Sequence, residues 1–193
     1  DDNGEPLVIY HGSNFKFTEF DLSLAGNNYD RQDLDHGFIF TTTDDDYADH
    51  AAKIAREFEN ERRFARGEKL LGEKSQRQYA LFANLRNPLV YDLDAHPVEL
   101  FQGFPQTEPD AWDSPRFALQ AQKEFREGDA AGRDYDGIIL KGRESSWILA
   151  AQSSQLKSAT HNRGTFDSLD PDITFSLWDD AEDSYTVMER SAF

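Results

Sequence analysis

Apolar residues in this chain come in short runs, each closed within a few positions by glycine, proline, asparagine or aspartate. Residues 6–11 (Pro6-Leu7-Val8-Ile9-Tyr10-His11) end at Gly12-Ser13-Asn14, a buried strand entering a loop. Residues 37–41 (Gly37-Phe38-Ile39-Phe40-Thr41) form a second strand after a polar stretch, 21–36, that reads as a flexible loop. Apolar runs of about four to eight residues between turn formers are strand signals. Residues 79–85 and 89–91 supply two more around the Asn87-Pro88 break, since proline cannot donate to a ladder. Asp136-Gly137 reads as a turn feeding residues 138–140, and residues 147–150 make a further strand. Phe15, Phe17 and Phe20 are spaced to cover the resulting sheet.

Two segments carry a helical period instead. Thr43 is placed to cap the first, with Asp44, Asp45 and Asp46 in the opening turn, where the helix dipole favours negative charge. Tyr47, Ala51, Ile54 and Phe58 recur at helical spacing as its buried stripe, and the dense mixed charge of residues 57–74 leaves its end open. The second helix runs from Ser114 to about residue 126. Ser114 caps it, Pro115 takes the first position, Phe117, Ala121 and Phe125 share a face, and Gly128 ends it. Many short strands with two main helices predict an α+β domain.

Composition narrows the chemistry. A chain of 193 residues suits one domain plus a tail, and 15 phenylalanines supply a core, which argues against global disorder. No apolar run approaches the roughly 20 residues of a membrane span. The chain does not start with Met and shows no signal peptide, as expected of a processed fragment or a module from a longer polypeptide. With no cysteine, disulfides, thiolate catalysis and thiolate zinc sites are excluded. The histidines stand at 11, 36, 50, 96 and 161, without the His-Glu-x-x-His spacing, so no metal site is expected. Acidic residues number 37 against 20 basic, a formal charge of −17 that repels phosphate backbones and favours cationic protein partners, or serves solubility alone. No Gly-x-Ser-x-Gly elbow, Walker loop or Gly-x-Gly-x-x-Gly fingerprint occurs.

What remains is an ordered succession of short motifs. Tyr10-His11-Gly12-Ser13 and Gly37-Phe38-Ile39-Phe40-Thr41 are followed by Asn87-Pro88-Leu89-Val90 and Tyr135-Asp136-Gly137-Ile138-Ile139. Gln155-Leu156-Lys157-Ser158-Ala159, Asn162-x-Gly164-Thr165-Phe166-Asp167 and Asp170-Pro171-Asp172-Ile173 complete it. From about residue 3 to residue 173 this order resembles the ADP-ribosyltransferase domains of bacteriophage and mobile-element polyvalent proteins, in the clade of poly-ADP-ribose polymerases and diphtheria toxin. The resemblance implies a split β-sheet core in residues 1–178, with residues 179–193 as an acidic tail. It implies NAD as substrate, transfer of ADP-ribose to a macromolecular acceptor, more readily protein than nucleic acid, and release of nicotinamide. NAD hydrolysis, RNA phosphotransfer and a non-catalytic NAD-fold binding module are the alternatives. A toxin or phage effector role, an immunity or antitoxin partner, and a cytoplasmic location reached by phage or secretion-system delivery are implied only by the company such domains keep.

Roles carry over residue by residue. The resemblance gives His11 a ribose hydroxyl and gives the Gly12 backbone the nicotinamide carboxamide, with Ser13 beside them and Thr41 on the second strand. A glycine also suits a place where ligand and backbone approach closely. Without gaps, the family's carboxamide-binding serine falls at Tyr47 and its second aromatic at His50, either of which offers a flat face to a planar charged ring. Tyr47 equally fits the buried helical stripe. Breaking the ribose–nicotinamide bond builds an oxocarbenium-like centre, which a carboxylate stabilises. The expected acid position falls at Trp147, or at Ser146 with one insertion, so Glu144 is the nearest carboxylate, with Gln152 and Gln155 as amides in reach of the same strand. Glu144 is otherwise a solvated loop charge, and Asn162 and Gly164 either line the cleft or make a tight turn.

Overall fold

The computed structural model describes residues 7–25, 37–92, 115–142, 145–161 and 169–174. Seven strands form one mixed sheet: β1 (Ile9–Ser13), β2 (Ile39–Thr42), β3 (Arg77–Ala83), β4 (Pro88–Asp92), β5 (Gly137–Lys141), β6 (Ser146–Ala150) and β7 (Leu156–Ser158). Two helices accompany them, α1 (Asp45–Ala65) and α2 (Pro115–Ala130). The strand order is β4-β5-β6-β2-β1-β3-β7, with β4 and β5 parallel and every other pair antiparallel. The α+β class expected from the sequence is what the fold has, and the two expected helices are both present among the described residues.

The sheet is nearly divided at its centre. β2 pairs with β6 over four positions and β1 with β3 over five, but β1 meets β2 at the single register pair Tyr10↔Thr42. Side chains alternate across a strand, so that pair fixes which residues share a face. Tyr10, Gly12, Phe38, Phe40 and Thr42 face one side; Ile9, His11, Ser13, Ile39 and Thr41 face the other. The first side carries a core of Phe38, Leu89, Ala121, Phe125, Ile138, Leu140 and Leu149, closed by α2. The second carries Ile9, Phe20, Ile39, Leu81, Ile148, Ala150, Leu156 and Ile173. Helix α1 lies over β1 on the first side, because a Cβ on Gly12 would stand 1.9 Å from the Ala48 carbonyl oxygen.

Several boundaries differ from the sequence reading, each for a physical reason. The first strand continues through Gly12 and Ser13, which pair with Gln78 and Arg77 of β3 and so belong to the ladder, not to a loop. Asp44, not Thr43, caps α1: its carboxylate accepts the Tyr47 amide at 3.0 Å. Thr43 is used elsewhere, its hydroxyl accepting the Ser146 amide at 2.8 Å. The buried stripe of α1 is Ala48, Ala52 and Ala55, with Tyr47, Ala51, Ile54 and Phe58 only half-buried at its flanks. Alanines are required because the helix sits directly on strand backbone. α2 passes Gly128, which lies against the Tyr135 ring, and ends at Ala130, just before Gly132 with φ +71°, where the Arg133 amide returns to the Gly128 carbonyl at 2.9 Å. Residues 22–24 form a short 3-10 turn inside the stretch expected to be loop, and β7 occupies part of the Gln155–Ala159 motif, which carried no strand signal. Ser114, Glu144, Asn162, Gly164 and the tail from 179 lie outside the described residues.

Candidate active site

His11 stands where β1 and β2 diverge. Its Nδ1 lies 2.8 Å from the Phe40 carbonyl oxygen, spanning the gap to β2. A carbonyl only accepts, so Nδ1 carries the hydrogen of the neutral ring and Nε2 presents a lone pair. Burial pushes the His11 pKa down, against a smaller upward pull from the Phe40 bond, so the neutral form is favoured. Nε2 has no hydrogen-bond partner among the described residues.

Aromatic rings hold this imidazole. Phe20 meets it edge-on at 4.9 Å and Phe17 at 6.1 Å, and Tyr79, its cross-strand partner, lies at 6.5 Å. Phe17 and Tyr79 stack at 4.3 Å, and the Tyr79 hydroxyl donates to the Phe15 carbonyl while accepting the Phe17 amide, each at 2.9 Å. The loop after β1 is thereby pinned beside His11. Sequence spacing gave Phe17 and Phe20 a covering role; Tyr79 stood out only as a strand residue, since its meeting with His11 depends on the β1–β3 register.

The other expected residues fall around this point unequally. Gly12 adjoins His11, but its missing side chain makes room for α1: Ala48 O at 1.9 Å and Ala52 N at 2.7 Å from a virtual Cβ. Ser13 is buried, and its hydroxyl accepts the Phe15 amide at 3.1 Å, turning the chain. Thr41 is buried and donates to the Ile148 carbonyl at 2.8 Å. Tyr47 packs on the other side of the sheet, tilted against Trp147 at 5.6 Å, and Trp147 meets Phe40 edge-on at 6.4 Å. His50 is exposed on α1. Gln155 is remote: its carbonyl accepts the Asn84 amide, five residues along β3 from Tyr79, about 17 Å at strand rise. Its side chain accepts the Gln152 amide at 2.9 Å and donates to the Asp136 carbonyl at 2.6 Å, so one end serves the loop before β7 and the other ties it to the turn before β5. Asp136 in turn takes the Arg86 and Asn87 amides, a structural turn. Glu144 belongs to the β5–β6 connection, where Gly142 N bonds Ser145 O at 3.0 Å across it, outside the described residues.

Among the described residues there is no group of three or more His, Asp or Glu side chains placed to hold a metal ion. No helix among them is long and apolar enough to cross a membrane. Neither the curated proteins nor the solved structures contain a significant match to the chain. The family model that does match is "ADP-Ribosyltransferase in polyvalent proteins", over residues 1–166. A sheet divided beside Tyr10-His11-Gly12-Ser13, two helices and a family match across most of 193 residues lead to one assignment: the chain belongs to the ADP-ribosyltransferase family of polyvalent proteins.

Proposed function

We propose that this domain binds NAD at the gap between β1 and β2 and transfers its ADP-ribose to a protein acceptor, releasing nicotinamide. The observation that carries the reading is His11: held neutral, its Nδ1–H committed to Phe40, its Nε2 left to accept a hydrogen bond from a ribose hydroxyl. Gly12 lies next to it on a strand edge that has lost its β2 partner, so its backbone can meet a carboxamide. The glycosidic bond breaks with its electron pair leaving on nicotinamide. The ribose carbon then carries oxocarbenium-like charge until an acceptor nucleophile adds and loses its proton. A carboxylate stabilises that centre. Glu144 is the proposed source, with the Tyr47–Trp147 pair across the sheet as the aromatic wall nearest the start of β6. Gln155 has no part in this proposal, its side chain being committed to the loop before β7 and the turn before β5. The charge of −17 favours a protein acceptor over nucleic acid. A toxin or effector role, with an immunity protein as partner, is the setting proposed for this activity.

Nicotinamide release from NAD, lost in His11→Ala, is the expected result. No release together with no NAD binding by calorimetry sinks the proposal. Labelled NAD with host lysate, treated with protease or nuclease in separate arms, identifies the acceptor class. Release that needs no acceptor favours NAD hydrolysis instead. Glu144→Gln should lower turnover by orders of magnitude; unchanged turnover removes Glu144 from the mechanism.

A further inference from the structure

The turn after β7 holds an exposed hydroxyl against an imidazole. Thr160 Oγ1 lies 2.7 Å from His161 Nδ1, and both residues are exposed. With its hydrogen on Nε2, the neutral ring accepts from that hydroxyl at Nδ1. A threonine in a turn commonly spends its hydroxyl on a backbone amide close by. Here Ser158, only 6% exposed, takes that place: its Oγ accepts the His161 amide at 3.1 Å and the Thr160 amide at 3.3 Å. The Thr160 hydroxyl is thereby released to the ring.

The pair is held in position by more than its own contact. The Ala159 amide bonds the Ala80 carbonyl at 2.8 Å, so the turn is tied to β3 at its first residue. The Ser158 hydroxyl stands 3.2 Å from Thr160 Oγ1 and 3.4 Å from His161 Nδ1, closing a triangle. When Ser158 donates to Thr160 and Thr160 donates to His161, one lone pair on Thr160 Oγ1 is left over for an electrophile. The turn also has a defined place in the sheet. Ala80 pairs with Tyr10, so Ala159 stands two strand spacings, about 10 Å, from the strand that carries His11.

We infer that Thr160 is a site at which this chain itself accepts ADP-ribose, with His161 as its general base, an inference that rests on the NAD reading above. A free alcohol adds slowly, and a base within hydrogen-bond reach is what makes it a nucleophile. Thr160 Oγ1 bonds the anomeric carbon of the ribose as the bond to nicotinamide breaks, its electron pair leaving on nicotinamide. The hydroxyl proton goes to His161 Nδ1 and from the ring to water. The product is an O-glycoside of threonine, and no co-reactant beyond NAD is needed.

The whole chain is incubated with NAD and no other acceptor, then digested with trypsin for mass spectrometry. Cleavage after Lys157 and Arg163 isolates residues 158–163 with the pair inside. One ADP-ribosyl group is expected on Thr160, stable to neutral hydroxylamine, which removes esters of aspartate and glutamate. Thr160→Val should lose the adduct from this peptide, and Thr160→Ser should retain it at the same position. His161→Gln should slow its formation at least tenfold. All three variants should melt as the wild type does, both side chains being exposed. Nicotinamide release with the peptide unmodified overturns the assignment and leaves the NAD reading intact. An adduct on this peptide that persists in Thr160→Val, or forms at an unchanged rate in His161→Gln, overturns it as well. No nicotinamide release removes both proposals.

Discussion

His11 and Gly12 are neighbours with different jobs, and each predicts a measurable response. Burial depresses the His11 pKa in the folded chain, so the unfolded chain takes up this proton more readily. Its contribution to stability is therefore present above the ordinary histidine pKa of about 6.5 and is lost as pH falls below that towards the folded value. Urea midpoints of wild type and His11→Gln, measured from about pH 7 to 5, should diverge, with wild type falling more steeply as acid is added. Parallel curves would show that His11 titrates normally. Gly12→Ala sets a methyl group into the backbone of α1, where neither strand nor helix can yield by rotating a side chain. The expected loss is about 3 kcal/mol, read as a lower urea midpoint, before any ligand is added. A variant of wild-type stability would mean that the helix stands off the strand. The glycine's fit to a ligand pocket was legible in sequence; its need to admit a helix was not, because the helix arrives 36 positions later at Ala48.

At the scale of the element, α1 shows how a three-aspartate start is sorted by geometry. Asp44 takes the extended cap conformation, φ −98° and ψ 112°, while Asp45 and Asp46 lie in the first turn. Asp44→Ala should cost about 1 kcal/mol and Asp44→Ser little, since serine also accepts from the N3 amide. Thermal melts of both variants check this, and equal losses would show that charge near the dipole, not the side-chain bond, matters. The helix's far end is held by charge. Glu59 contacts Arg63 at 3.1 Å and Arg66 at 3.2 Å, and Arg66 reaches Glu68 at 2.6 Å, a partly exposed network that draws the chain back after the last turn. This resolves the mixed-charge stretch, whose density of both signs is what such a network needs.

For the whole molecule, the closing piece is a lysine. Lys157 is wholly buried in β7 and its ammonium donates to the Asp170 and Asp172 carbonyls, both at 2.6 Å. That segment also exchanges backbone bonds with its surroundings: Ser158 N to Ile173 O and Ile173 N to Thr18 O, each at 2.7 Å. Ile173 is thereby pressed into the core beside Phe20, which itself supports His11. Lys157→Met leaves two carbonyls unmet and should cost on the order of 3 kcal/mol. Hydrogen exchange at the Ile173 and Ser158 amides should then quicken well before that of β1. Undiminished protection at both amides would refute the lysine's role as the clasp.

The amino-acid order alone determined the α+β class, the two helices, the strands between turn formers and the Tyr10-His11-Gly12-Ser13 motif, because period and turn chemistry are local properties. The Ile39 and Phe40 run gave its strand in the same way, needing no partner to be recognised. Tertiary structure decided everything that rests on register. It set Tyr79 beside His11, moved the buried stripe of α1 by one position onto alanines, and sent Gln155 about 17 Å along the ladder from the site it was expected to join. A strand shifted by one residue exchanges its faces, so no local pattern can say which side chains meet. In this domain the meeting of β1 and β2 at Tyr10 and Thr42, and their parting just beyond, is what leaves the His11 ring to bridge the two strands through the Phe40 carbonyl.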